Sequence, residues 1–437
     1  MAKLLINAML YDYDRFIPDG FLLFDEQIIE AGPMEKLPQG DHETIDAGGM
    51  LVLPGMACGH THLYSAFARG LDLKLDIKNF KDILEQLWWR LDRGIDNRIA
   101  YASALSFGAE MLENGITTIC DHHASGKEIT GSLEAIKKAV VNDIGMRGVF
   151  AFETSDRFDV AKAVAENRDF AKNNRTERAA GTFGMHASMS MSEETIRLVK
   201  ENFDGETIHV HVAESKYDTE DCLEKYGMSI IDRFDNYGLI GKDSLIVHGV
   251  FLNDSELSLL AKKDAVVCLN VSSNMNNGVG LPDIKNMKAK GVKVILGNDG
   301  LHAGMALEYL NLYYAMHHKY GSLTGLSSDF VKDAINETYD YLSRKLGISL
   351  GKFANGFAAD FIIVPYRPAT PIDSGNAMGH LLFGVYPGFS PKDVYVAGKM
   401  LVKDHELVNR SKKTEAIIKK AASDLWNNVN KEDEPWI

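Results

Sequence analysis

Residues 207–214 read Thr207-Ile208-His209-Val210-His211-Val212-Ala213-Glu214, an alternating run of strand length that ends on groups able to bind metal or move protons. Side chains two apart on a strand share a face, about 6.6 Å apart along its axis. If His211 faces an interior, His209 faces it one layer deeper and Glu214 lies just past the strand end. The expected role of His209 is that of a buried, hydrogen-bonded imidazole supporting its neighbour. Outward from this stretch the texture repeats. Short apolar runs at 50–60, 115–121, 146–153, 181–187, 245–250, 265–271 and 292–299 alternate with helical stretches such as 97–114, 129–143, 193–203 and 281–290. Eight strands with crossover helices predict an α/β fold of the (β/α)8, TIM-like barrel type, with a doubly wound sheet as the competing arrangement.

The two ends of the chain differ from this middle. LLINAMLYDYD and FLLFDEQIIEAG near the start, and ADFIIVPY (359–366) and DVYVAGKMLVKD (393–404) near the end, read as strands bounded by turns. Neither end offers a core of its own, so both termini are expected to build one small β-sandwich domain. This divides the chain into residues 1–54 and 352–437 for the sandwich, with a closing helix at 412–427 on the outside, and 55–351 for the barrel.

Composition narrows the function. A formal net charge of -14 argues against a nucleic-acid partner, which needs a basic footprint. The four cysteines (Cys58, Cys120, Cys222 and Cys268) form no C-x-x-C pair, so neither a disulfide framework nor a zinc knuckle is expected and a cytoplasmic location is the default. The start of the chain lacks signal-peptide features, and no uncharged run approaches the ~18–20 residues of a membrane span. A small molecule is the expected partner. The oligomeric state is left open, a homodimer being one option.

Active sites of such barrels lie at the C-terminal ends of the strands. The first strand ends in His60-Thr61-His62, the fifth in His211 and Glu214, the sixth in His248-Gly249 and the eighth in Asn298-Asp299-Gly300. A His-x-His pair alone is weak evidence, and a lone strand-end His or Asp is more often structural. Four strand ends carrying metal-capable or acid-base groups together are a strong signal. Imidazoles with a carboxylate and no sulfur favour zinc, with iron or manganese as alternatives.

LPGMACGHTH, HVHVAES, VHG and GNDG resemble the amidohydrolase superfamily, in the branch of cytosine, guanine and S-adenosylhomocysteine deaminases and chlorohydrolases. The likeness runs nearly end to end and includes GFAADFIIV. LWWRLDRG (87–94), TTICDHHAS (117–125) and SSNMNNGVGLPD (272–283) are similar to SsnA-type aminohydrolases, whose genes accompany purine-catabolic enzymes. The resemblance implies that His60, His62, His211 and Asp299 ligate one divalent metal. Glu214 and His248 are implied as acid-base and polarising groups. Binuclear relatives carry a carboxylated lysine on the fourth strand, and the segment Thr182–Met189 has none, which implies a single ion. His186 takes the place of a substrate-touching histidine. Cys58 and Val271 depart from the pattern, where Asn or Asp and Pro are usual, and these departures bear on the pocket rather than on metal binding. Of His122 and His123 only one can face the lumen, and His123 is taken as a substrate contact. Asn274 and Asn277 belong to a loop that can line the pocket, and Asn274 is taken as substrate-binding. Trp88 and Trp89 could stack on a flat ring, but helical core packing is the favoured role.

The implied reaction is hydrolysis of a C–N bond in a purine, pyrimidine or pterin-type heterocycle by metal-activated water. Asp299 accepts the water proton, Glu214 protonates the ring nitrogen and His248 holds the attacking oxygen. The same residues would serve hydrolytic ring opening of a cyclic amide or amidine, as in imidazolonepropionase-like relatives. A catalytically silent scaffold is the alternative from another class, and six competent positions argue against it.

Overall fold

The computed structural model describes residues 2–205, 207–322 and 327–431. Eight parallel strand positions follow one another around a ring, each predicted run supplying one. They are Met56–Thr61, Ile116–His123, Arg147–Phe152, a split fourth strand (Ala179–Gly181 and Phe183–Ala187), Ile208–Val212, Leu245–His248, Val266–Leu269 and Lys293–Leu296. Parallel ladders join the first through the first half of the fourth, and the second half of the fourth through the eighth. The break in the fourth strand falls at Thr182, whose N–H still donates to the Phe150 carbonyl at 3.0 Å. A bridge between Thr154 and Met185 continues the ring across it.

No ladder pairs the eighth strand with the first among the described residues. The N–H groups of Asn298 and Asp299 instead donate to the His60 carbonyl, at 3.0 and 3.2 Å. The backbones are so close here that a Cβ on Gly297 would stand 2.6 Å from that same carbonyl. A glycine is the only residue that fits.

The strand read at 50–60 is two strands. Leu51–Pro54 pairs antiparallel with Phe361–Val364 in the terminal sheet, and Met56–Thr61 begins the barrel. Gly55 separates them, its N–H donating to the Asp360 carbonyl at 2.9 Å. Both termini build one continuous nine-stranded sheet. Its two wings share an apolar core, with Phe361 stacked on Tyr395 at 4.4 Å and edge-on to Phe24 at 5.0 Å. This sheet is fastened to the barrel by a buried ion pair. Arg147 of the third barrel strand donates to both Asp360 oxygens, at 2.7 and 3.1 Å, a bidentate geometry that fixes orientation as well as charge.

Barrel helices start where the sequence supplies side-chain caps. Asp96 accepts from the Ile99 N–H at the head of Asn97–Glu113, and Asn253 makes a capping box with Glu256 at the head of Asp254–Lys262. The stretch expected to be helical at 129–143 is the helix Ser132–Lys137 running into a π-helical turn, Lys138–Ile144. The closing helix, Lys412–Lys431, packs outside the barrel against Asn97–Glu113. No helix among the described residues is long and apolar enough to cross a membrane.

Candidate metal centre and active site

Strand ends bring the site together. One nitrogen each from His60, His62 and His211 and one oxygen from Asp299 lie within 4.8 Å of one another. His60 Nε2 is 3.0 Å and His62 Nε2 3.2 Å from Asp299 Oδ1, and the Nε2 atoms of His62 and His211 are 3.2 Å apart. The outer nitrogens explain why these rings point inward. His62 Nδ1 donates to the His122 carbonyl at 2.6 Å, and His211 Nδ1 donates to the His186 carbonyl at 3.0 Å. A carbonyl only accepts, so in each neutral ring Nδ1 carries the proton and Nε2 keeps its lone pair. His60 Nδ1 is 2.8 Å from His209 Nε2, so the deeper histidine braces the first strand rather than its own neighbour.

Charge follows burial. Burial pushes His60 down to about 4 and His211 well below its ordinary value, which keeps both imidazoles neutral. Burial alone would raise Asp299, but the His248, His60 and His62 rings outweigh it and hold the carboxyl well below its usual range. Burial opposes charge on His62 too, yet its contact with Asp299 holds it up at about 9, a proton on Nε2 that a bound cation would displace to free the lone pair. Convergent imidazole lone pairs and an ionised carboxylate, each oriented by a second hydrogen bond, suit a divalent cation. The donor set fits.

A second group, Glu214, His248 and Asp299, shares the carboxylate. His248 Nε2 lies 3.4 Å from Glu214 and 3.9 Å from Asp299 Oδ2, with no hydrogen bond of its own. Burial, reinforced by Asp299, pushes Glu214 up to about 7. Ser273 Oγ donates to Asp299 Oδ2 at 2.5 Å, and Asn277 donates to both Glu214 and Ser273. All of this opens on a cavity of about 260 Å³ lined also by Tyr64, Trp88, Trp89 and His186.

Of the residues expected to touch substrate, His186 does line this cavity; His123 and Asn274 stand behind its wall. Asn274 Oδ1 accepts from His248 Nδ1 at 2.8 Å and so positions that ring. His123 is fully buried with neither nitrogen hydrogen-bonded, its ring edge-on to Tyr64 and Phe152. It is His122 whose ring lies among the site imidazoles, 4.8 Å from that of His211. Neither departure from the family pattern reaches the cavity: Cys58 lies behind His60, its Sγ 3.2 Å from that carbonyl, and Val271 is buried at the start of a short helix. Trp88 and Trp89 both line the cavity, Trp88 from the end of a π-helical turn (Leu84–Trp88) and packed against the core as well, Trp89 from the start of the helix that follows. Sequence reasoning did not reach Asp92 and Glu153, two buried carboxylates on the same wall. Glu153 directly follows the third strand, so the strand-end rule applied to all eight strands would have found it.

The model of the amidohydrolase family matches residues 51–401. A 5-methylthioadenosine/S-adenosylhomocysteine deaminase of Thermococcus sibiricus is 27% identical, covering 88% of this chain and 93% of its own. A 5'-deoxyadenosine deaminase of Methanosarcina barkeri is 27% identical over 93% of both chains. Among solved structures, a zinc-bound adenosine deaminase from Xanthomonas campestris superposes with a TM-score of 0.83 at 18% identity, covering 98% of both chains. Atrazine chlorohydrolase from Arthrobacter aurescens, complexed with zinc, gives 0.80 at 19% identity over 97% of this chain and 99% of its own. With a family match across most of its length on top of the barrel and its strand-end cluster, the chain belongs to the amidohydrolase family.

Proposed function

We propose that this protein is a metal-dependent aminohydrolase that removes an exocyclic amine from a purine-type nitrogen heterocycle. One observation carries the reading: a carboxyl raised to about 7, Glu214, and an ionised one, Asp299, flank His248 over the same cavity. Two carboxyl groups pushed apart in this way divide acid and base work between them. In this reading His60, His62, His211 and Asp299 hold one divalent ion, zinc being the best match to the donors. Such an ion supplies Lewis-acid activation of water at neutral pH.

The chain's own groups do the rest. Asp299 Oδ2, steadied by Ser273, accepts a proton from the attacking water. Glu214, whose proton burial retains up to about pH 7, gives it to the ring nitrogen next to the carbon under attack. That makes the carbon electrophilic; the proton taken up by Asp299 then passes to the amine, which leaves as ammonia, and the remaining hydroxyl proton returns to Glu214 as the ring carbonyl forms. His248, its Nδ1 fixed by Asn274, turns Nε2 toward the oxygen between the two carboxylates. His186 and the Trp88 and Trp89 walls orient the flat ring and exclude water. The barrel unit, 55–351, carries this chemistry, and the units 1–54 and 352–437 frame it.

The test is a panel of adenine derivatives, other purines, pterins and cyclic ureas, with ammonia and ring absorbance followed separately. Ammonia with an intact ring is expected from an adenine derivative. Ring loss without ammonia across the panel overturns deamination in favour of ring opening.

A further inference from the structure

The cavity has a second polar wall, built from parts that the proposed chemistry does not use. Glu153 and Asp92 both line it and are 2% and 1% exposed. Behind them Arg157 grips one oxygen of each, Glu153 Oε1 through Nη2 and Asp92 Oδ2 through Nη1 at 3.0 Å. The guanidinium is wedged over the rings of Trp89 (5.0 Å) and Phe158 (4.7 Å), and it is not part of the cavity surface. Asp92 Oδ1 is buried without a hydrogen-bond partner, and Arg157 reaches Glu153 through Oε1 alone, leaving Oε2 beyond its grip.

Beside them stands His186. Its Nδ1 lies 2.6 Å from Ser190 Oγ, which gives its own proton to the Ala187 carbonyl at 3.1 Å. His186 Nδ1 is therefore a donor, and its Nε2 offers a bare lone pair. Burial would raise Glu153, but Arg157 holds it ionised; burial pushes Asp92 up to about 7. Above that pH the three groups present acceptors only, and two carboxylates against one guanidinium leave an excess negative charge in a buried place. Arg69, the one Lys or Arg among the cavity residues, is half-exposed and paired with Glu110 at 2.6 Å.

We propose that Glu153 and Asp92, held by Arg157, select the substrate by charge: they accept hydrogen bonds from an amine- or hydroxyl-bearing substituent on the heterocycle and exclude phosphate- or carboxylate-bearing ones. This rests on the aminohydrolase reading for the ring, but not for the wall. A donor satisfies the open carboxylate oxygens, whereas an anion meets an uncompensated charge where little water screens it. Exclusion of the wrong partner by like charge is a common route to specificity.

Two probes test it, adenine bearing an aminoethyl group and adenine bearing a carboxyethyl group at the same ring position. Binding to the metal-loaded protein is measured by calorimetry, and ammonia release is followed in parallel. The aminoethyl probe is expected to bind at least about tenfold tighter, a difference of about 1.4 kcal/mol. Glu153→Gln shrinks that ratio, through KM rather than kcat, with metal content and Tm reporting a folded protein. Asp92→Asn serves the same purpose if the first variant does not fold, since Arg157 keeps its other partner. Equal binding of the two probes, weak binding of both, or an unchanged ratio in a folded variant overturns the proposal. Discrimination in binding without ammonia removes the deaminase reading and leaves the wall. Ammonia from both probes at equal efficiency does the reverse.

Discussion

Three non-glycine residues of the site adopt left-handed backbone conformations: Ala213 (φ 52°), His248 (φ 71°) and Asp299 (φ 55°). Such conformations are uncommon and strained for residues with a side chain, and they persist where the surroundings over-determine them. Each lies where its strand ends, and each turns the chain so that Glu214, His248 or Asp299 faces the barrel mouth. Glu214 is the residue whose function is most sharply testable. Its raised pKa makes it an acid below about pH 7, so turnover should fall as pH rises through about 7 and the proton is lost. The same shift favours the folded state only at low pH: the contribution is full below the ordinary carboxyl value and is lost as pH rises through about 7. Glu214→Gln should retain its metal by elemental analysis and lose about 10²–10⁴ in turnover. A metal-free Gln variant would make Glu214 a ligand. The strand-end histidines and Asp299 were legible because a strand's period fixes which side chains share a face. Asn274 was not: a loop asparagine looks the same in sequence whether it faces substrate or, as here, holds His248. The pairing of Glu153 and Asp92 through Arg157 was invisible too, since Asp92 stands 65 residues before Arg157 and no spacing rule links them.

At the scale of elements, the closing helix turns out to brace the cavity. Trp426 Nε1 donates to the Phe67 carbonyl at 2.7 Å, Arg90 donates twice to the Val429 carbonyl, and Asn428 donates to the Gly94 carbonyl at 3.2 Å. Between these contacts Ala421, Leu425 and Val429 are buried. The clamped segment, 63–94, carries Tyr64, Trp88, Trp89 and Asp92 to the cavity wall. Truncating a buried leucine typically costs about 2–5 kcal/mol. Leu425→Ala should therefore lower stability by that order in a denaturant titration, and loosen substrate binding as well. A raised KM with little change in kcat is the expected signature; an unchanged KM would confine the helix to stability. The helix itself could be read from its amphipathic pattern, which gives a buried stripe but not the partner. The two strands within 50–60 were read as one for a similar reason, because an apolar run does not show where the chain passes from one sheet to the next.

Across the whole molecule, the proposed ligands come from the first, fifth and eighth strands, so His60 and Asp299 meet across a sequence separation of 239 residues. They meet where no ladder joins the eighth strand to the first among the described residues, and where two N–H groups donate to the His60 carbonyl. An ion bound there ties the first strand to the eighth and should act as a staple for the ring. Anything that binds the folded state alone stabilises it by mass action, about 4 kcal/mol at a thousandfold excess over Kd. Chelation should therefore lower Tm, and restoring zinc should raise it again. In His211→Ala, which lacks one proposed ligand, Tm should respond weakly to metal. The stoichiometry discriminates further, because Glu214, His248 and Asp299 form a second cluster sharing the same carboxylate. If those groups move protons, elemental analysis should find close to one ion per chain. Two tightly held ions would place Glu214 and His248 in the ligand set and take from them the acid-base work. A Tm indifferent to chelation in a protein that demonstrably loses its metal would instead mean that the seam between the first and eighth strands is held by its backbone hydrogen bonds and close glycine packing alone.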